Sequence, residues 1–98
     1  YFQRPTGTVL INAGAVPVLR GQGRSLLAVG VIGCKGKFAA GDVVNIAGPD
    51  GKLVARGKTA YASDDIAKVS GQHEHALRAL FPARKHLEVV HRDNLVLL

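Results

Sequence analysis

The chain has no methionine and no tryptophan, one cysteine, and aromatic residues make up only 5% of it. Its core must therefore be aliphatic, built from Val, Leu, Ile and Ala, and a platform of stacked aromatic rings is excluded. Cys34 alone cannot form an intramolecular disulfide; it sits among glycine and apolar residues and is expected to be a small buried thiol. Without a disulfide framework, a reducing, cytoplasmic setting is expected. No apolar run approaches the ~18 residues that a membrane helix needs, and no signal peptide is visible, so no membrane partner is expected. Acidic residues are also missing from one half: residues 4–41 hold Arg4, Arg20, Arg24, Lys35 and Lys37 and no Asp or Glu.

What is present describes one domain. Ninety-eight residues with 47% apolar content can bury a core without metals or cross-links. The net charge of +6 arises mainly from the acid-free half, since acids and bases nearly balance elsewhere. Such a surface suits an anionic partner: RNA, a nucleotide or an acidic neighbouring domain. Tyr1-Phe2-Gln3 reads as an expression-tag remnant, leaving residues 4–98 as the domain. An abrupt start and an apolar C-terminus suggest the C-terminal domain of something longer.

The closing stretch, Glu88 to Leu97, has two strand-like runs, Val89-Val90 and Leu95-Val96-Leu97, joined by the polar link His91-Arg92-Asp93-Asn94. So apolar an end is expected to lie inside a sheet, because an exposed edge invites aggregation. The polar link is expected to be a structural knot, with Arg92 on a carboxylate and Asn94 on loop backbone. Thr8 to Ile11 is a first strand. Asn12 fits a helix cap, and Pro17 allows only a helix that starts late or one irregular turn to Leu19. Gly21-Gln22-Gly23 is a flexible turn. Ser25 to Ile32, the longest apolar run, is expected to be a central strand, with Gly30 and Gly33 marking a bulge or a close backbone approach. Phe38 anchors the next connection. Asp42 to Ala47 and Leu53 to Tyr61 form a hairpin about the turn Gly48-Pro49-Asp50-Gly51. Ser63 is expected to cap a short helix with Asp64 and Asp65 at its positive end, Lys68 near its negative end and Gly71 stopping it. Gln72 to Phe81 is a second helix, ended by Pro82, whose buried face is Ala76, Leu77 and Leu80. The fold class is mixed β with short α: a pseudo-barrel of five to six or more short strands with two to three short helices.

Several motif fragments fail on spacing. Gly57-Lys58-Thr59 ends like a phosphate loop, but the first glycine would fall on Lys52, and the stretch is strand-like where that loop opens a helix. Gly21-Gln22-Gly23 would need a glycine at Leu26 for a dinucleotide fingerprint. His91-Arg92-Asp93 opens like a protein-kinase catalytic loop, yet the asparagine five residues beyond the aspartate would fall on Leu98. His73 and His75 are two apart, so on a helix they point away from each other and do not share a metal. His86 and His91 are loop neighbours lacking a Cys or carboxylate cluster. No catalytic, cofactor-binding or metal residue is assigned.

Taken in order, Gly14-Ala15, Ser25-Leu26-Leu27 with Gly30, Phe38-x-x-Gly41-Asp42-x-Val44, Ala55-Arg56-Gly57-x-x-x-Tyr61-x-Ser63, Ile66 with Gly71, and Glu88 through Leu97 resemble the PUA domain at the C-terminus of bacterial glutamate 5-kinase. The resemblance covers nearly the whole chain from Thr6 onward. Asn12 stands where that family usually has an acid before the Gly-Ala pair, and Pro17 is unusual inside its first helix. The resemblance implies a PUA pseudo-barrel and a parent enzyme that phosphorylates the γ-carboxyl of glutamate with ATP and magnesium, the first step of proline synthesis. The family's catalytic and proline-sensing residues belong to an upstream amino-acid-kinase domain, the implied partner, so this part is implied to be a non-catalytic accessory or regulatory module. The parent is open to homo-oligomer formation. The alternative is an RNA-binding PUA module. By fold analogy alone, Arg20, Arg24 and Arg92 are the candidate RNA or domain contacts.

Overall fold

In the computed structural model of the chain, residues 4–21 and 24–98 are described. The reading of Tyr1-Phe2-Gln3, and the Gln22-Gly23 part of the first turn, lie outside them. Five strands form one mixed sheet in the order β2-β1-β3-β4-β5: β1 Gly7–Ile11, β2 Val31–Lys35, β3 Val43–Ala47, β4 Leu53–Lys58 and β5 Leu95–Leu97. The β1/β3 pair is parallel and the other pairs are antiparallel. The helices are α1 Ala15–Arg20, α2 Ser63–Val69 and α3 Glu74–Leu80, with single 3-10 turns at Ala28–Gly30 and Arg92–Asn94. Among the described residues, no helix is long and apolar enough to cross a membrane.

The local signals act where expected. Gly51 turns with φ +83° while Asp50 Oδ1 accepts from the Lys52 N–H, which closes the β3/β4 hairpin. Helix α2 carries Asp64 and Asp65 in its first turn and Lys68 in its last, and Gly71 follows with φ +74°. Helix α1 starts late, at Ala15, which places Pro17 in the first turn, where its missing N–H costs nothing. Asn12 Oδ1 accepts from the Ala15 N–H at 2.8 Å, so it caps that turn from three residues away.

Four expectations are corrected. The Ser25 to Ile32 run is not a central strand. Leu26 makes only an isolated bridge to Val90, Ala28–Gly30 coils into a 3-10 turn, and β2 lies at the sheet edge. The break follows from Gly30: a Cβ there would sit 2.9 Å from Ala15 Cβ, so the chain turns where it passes beneath α1. Ile32 is then the extra residue of a bulge, since Leu10 pairs with Gly33 and Ile11 with Val31, and it is 53% exposed. The apolar C-terminal end does not lie inside the sheet, since β5 is an edge strand. Val89 and Val90 are fully buried, but among the described residues β5 pairs only with β4, and Val96 is 64% exposed. Ser63 does not cap α2; its Oγ accepts from the Phe38 N–H and donates to the Phe38 carbonyl, pinning the loop that seats Phe38 in the core. In α3 only Leu77 is buried, and Leu80, the last residue of the helix, faces solvent at 49% exposure.

Val89-Val90 runs through the middle of the molecule. The Val89 N–H bonds the Leu26 carbonyl at 2.8 Å, the Leu26 N–H bonds the Val90 carbonyl at 2.9 Å, and the Ala60 N–H bonds the Val89 carbonyl at 2.7 Å. This seam joins the lead-in of edge strand β2 to the lead-in of edge strand β5, closing the sheet toward a barrel. Gly57 makes room for it. A Cβ at Gly57 would lie 2.5 Å from the Asn94 carbonyl oxygen and 2.8 Å from Val90 Cγ1. Tyr61, fully buried, holds the approach: its hydroxyl donates to the Leu87 carbonyl at 3.0 Å and its ring meets Phe81 edge-on at 5.5 Å.

Gly57→Ala is therefore expected to cost about 1–3 kcal/mol by overpacking, read as a fall in the denaturant midpoint. Gly33→Ala, with nothing within 4 Å of the new carbon, should leave the midpoint unchanged or raise it. Tyr61→Phe should cost about 1–3 kcal/mol, since it strands the buried Leu87 carbonyl. Equal midpoints for Gly57→Ala and Gly33→Ala would contradict this packing.

Candidate binding face

One face gathers the three arginines nominated from sequence. Arg20 ends α1, and the Gly21 N–H that follows bonds the Pro17 and Val18 carbonyls. Arg24 lies alongside, its Cγ 3.8 Å from where a Gly21 Cβ would stand. Ser25 Oγ accepts the Arg92 N–H at 3.0 Å, which sets the Arg92–Asn94 turn beside Arg24. The three side chains are exposed, and among the described residues none reaches a carboxylate within ion-pair distance. The seam thus brings Ser25, next to Arg24, within hydrogen-bond reach of Arg92 across 67 residues of sequence. The expected Arg92–carboxylate knot does not form. The turn is held instead by backbone and by His91, whose Nδ1 accepts the Asp93 N–H at 3.1 Å. Asp93 Oδ2 also lies 3.5 Å from that nitrogen.

Beside the arginines, α1 and the Ala28–Gly30 turn enclose an apolar cleft of about 240 Å³, with Ala15, Val18, Leu26, Leu27 and Val29 among its walls. Its geometry is fixed from below. Gly30 touches α1 without a side chain, the Asn12 N–H bonds the Gly30 carbonyl at 2.9 Å, and Leu26 is bonded on both sides to the seam. A second, more polar cleft of about 430 Å³ lies beyond Leu27 and Val29, where His73, Lys85, His86 and Glu88 join Leu77. Glu88 Oε2 is shielded there without a hydrogen-bond partner. The rings of His86 and His91 are 6.2 Å apart, nearly edge-on.

Sequence reasoning missed the aromatic cluster beneath this region. The Arg84 guanidinium lies 4.1 Å from the centre of the Tyr61 ring and 5.3 Å from that of Phe81. Burial pushes the Tyr61 phenol up, Arg84 offsets part of this, and Glu88 and Asp65 add to it. No spacing links residues 61, 81 and 84, so nothing in the sequence marked Arg84 as a packing residue rather than one more surface base.

Cys34 is half-buried, with Sγ 3.7 Å from the Ser63 carbonyl oxygen. Desolvation pushes its thiol up, and the charge of Asp64 adds to the effect. A thiol raised in the fold is equally protonated in folded and unfolded chains at low pH. Its contribution to stability is lost as pH climbs through the folded value. Alkylation by iodoacetamide at about pH 8 should therefore be slower than for free cysteine and should quicken with rising pH. A rate above that of free cysteine would contradict this environment.

Comparison with known proteins fits this geometry. Residues 7–81 match the PUA domain family. The whole chain is 44% identical over 98 residues to glutamate 5-kinase of Trichlorobacter lovleyi, covering 26% of it. Over 93 residues, 95% of this chain, it is 44% identical to glutamate 5-kinase of Vibrio campbellii, covering 24% of that protein. The chain thus spans about a quarter of the length of the curated relatives it matches. A crystal structure of a PUA domain from Aeropyrum pernix superposes on 91% of this chain and 45% of its own, with a TM-score of 0.60 at 24% identity, and so shares the fold. The mixed five-stranded sheet, the three short helices and the family match agree: this chain belongs to the PUA domain family.

Proposed function

We propose that this chain is the accessory PUA domain of a longer glutamate 5-kinase, an ATP-dependent enzyme that phosphorylates the γ-carboxyl of glutamate in proline biosynthesis in the cytoplasm. The observation that carries the reading is identity above 40% across essentially the whole chain to proteins of that name, each about four times its length. In this reading the kinase part of the longer protein holds ATP, magnesium and glutamate, and no catalytic role falls to these residues. The domain then tunes the assembly or the feedback response of the kinase. Its basic, acid-free half offers the surface for that contact, with Arg20 and Arg24 exposed along it and Arg92 joined to it at Ser25. The RNA reading draws on the same arginines but lacks the aromatic side chains that stack bases.

The test uses the longer protein with and without residues 4–98. Trapping the acyl phosphate with hydroxylamine should show turnover that needs both ATP and glutamate. Removing the domain should change oligomer size, kinetics or the response to proline while leaving turnover measurable. A longer protein that does not phosphorylate glutamate would overturn the kinase reading. Turnover with all three properties unchanged after removal would overturn the regulatory role.

A further inference from the structure

We infer that the apolar cleft between α1 and the Ala28–Gly30 turn seats an acidic segment with aliphatic side chains at its tip, supplied by the remainder of the same longer polypeptide. This rests on the reading above and adds the surface and the chemistry of its occupant. Val18 and Leu27 are each more than half exposed, and Val29 is 39% exposed, around one concavity. Contiguous exposed apolar side chains of this kind mark interaction sites. At about 240 Å³ the cleft falls below the ~300–1,000 Å³ typical of small-molecule pockets. It is sized for a few aliphatic side chains.

Charge narrows the occupant. The exposed Arg20 and Arg24 are chain neighbours of the wall residues Leu19 and Ser25, residues 4–41 hold no acid, and the Arg92 N–H bonds the Ser25 hydroxyl. A basic partner would be repelled, whereas an acidic one would be steered in and held in register. The walls are aliphatic, with neither Tyr nor Phe among them, so they give a nucleobase no ring to stack on. Size argues for a tethered occupant. A contact this small is weak between separate molecules, whose stable interfaces bury ~800 Å² per partner. A covalent link supplies an effective concentration near millimolar and makes weak docking sufficient. The cleft is also pre-formed, braced by Gly30 against α1 and by Leu26 in the seam, so little ordering opposes docking.

Hydrogen exchange on the longer protein tests this. Amides of residues 15–20 and 26–30 should exchange roughly tenfold more slowly than in the 98-residue chain alone. Leu27→Glu, and separately Arg24→Glu, should remove that extra protection and leave glutamate-dependent turnover measurable. Lys58→Glu, on an exposed residue at the end of β4, should retain it. Unchanged exchange in a longer protein that still phosphorylates glutamate would overturn the docking site and spare the kinase reading. Protection that disappears on dilution would assign the cleft to a second copy, and protection that appears only with added RNA would assign it to nucleic acid. Either result would overturn the proposal.

Discussion

Everything in this domain hangs on threading Val89-Val90 between Leu26 and Ala60. Three backbone hydrogen bonds of 2.7 to 2.9 Å hold that segment on both sides, and both valines are fully buried. Among the described residues neither neighbour forms a regular ladder with it; the one pairing is the single Leu26–Val90 bridge. Yet this seam turns an open sheet with two edges into a closed body. Unpaired backbone groups buried at this depth would each cost ~1–3 kcal/mol, so the three bonds are mutually dependent. Gly57 exists for the seam, since a side chain there would collide with Val90 and with the Asn94 carbonyl. Tyr61 serves it too, by anchoring the Leu87 carbonyl just upstream.

The same constraint places the candidate face. Because Leu26 is fixed to Val90, Ser25 falls within reach of Arg92 and Arg24 lies beside the Arg92–Asn94 turn. Because Gly30 lacks a side chain, α1 settles against the turn that follows Leu26 and leaves the aliphatic cleft between them. Positive charge and exposed apolar surface therefore meet on one side through packing rather than through proximity in sequence.

Much of the fold was legible because local chemistry decided it. Gly48 to Gly51 can only turn, the paired Asp64 and Asp65 ahead of Lys68 suit only the start of a helix, and Pro17 confines α1 to a late start. The failures share a cause in long-range contacts. Ser25 to Ile32 reads as one strand by hydropathy, but Ala15, which is distant in sequence, breaks it at Gly30. Both apolar runs of the closing stretch read as lying inside the sheet, but only Val89-Val90 is buried there and Val96 to Leu98 stay exposed. Ser63 reads as a cap until Phe38, 25 residues away, takes its hydroxyl. The arginines could be named from charge and resemblance, but their neighbourhood could not, since it depends on a bond across 67 residues.

Native-state hydrogen exchange measured amide by amide tests the seam most directly. The amides of Leu26, Ala60 and Val89 should exchange only through global unfolding, as slowly as the buried amides of β1 and β3, and their rates should rise together on Gly57→Ala. Exchange of these three through local opening, while β1 and β3 stay protected, would show that the barrel does not close through Val89-Val90 and would contradict the account.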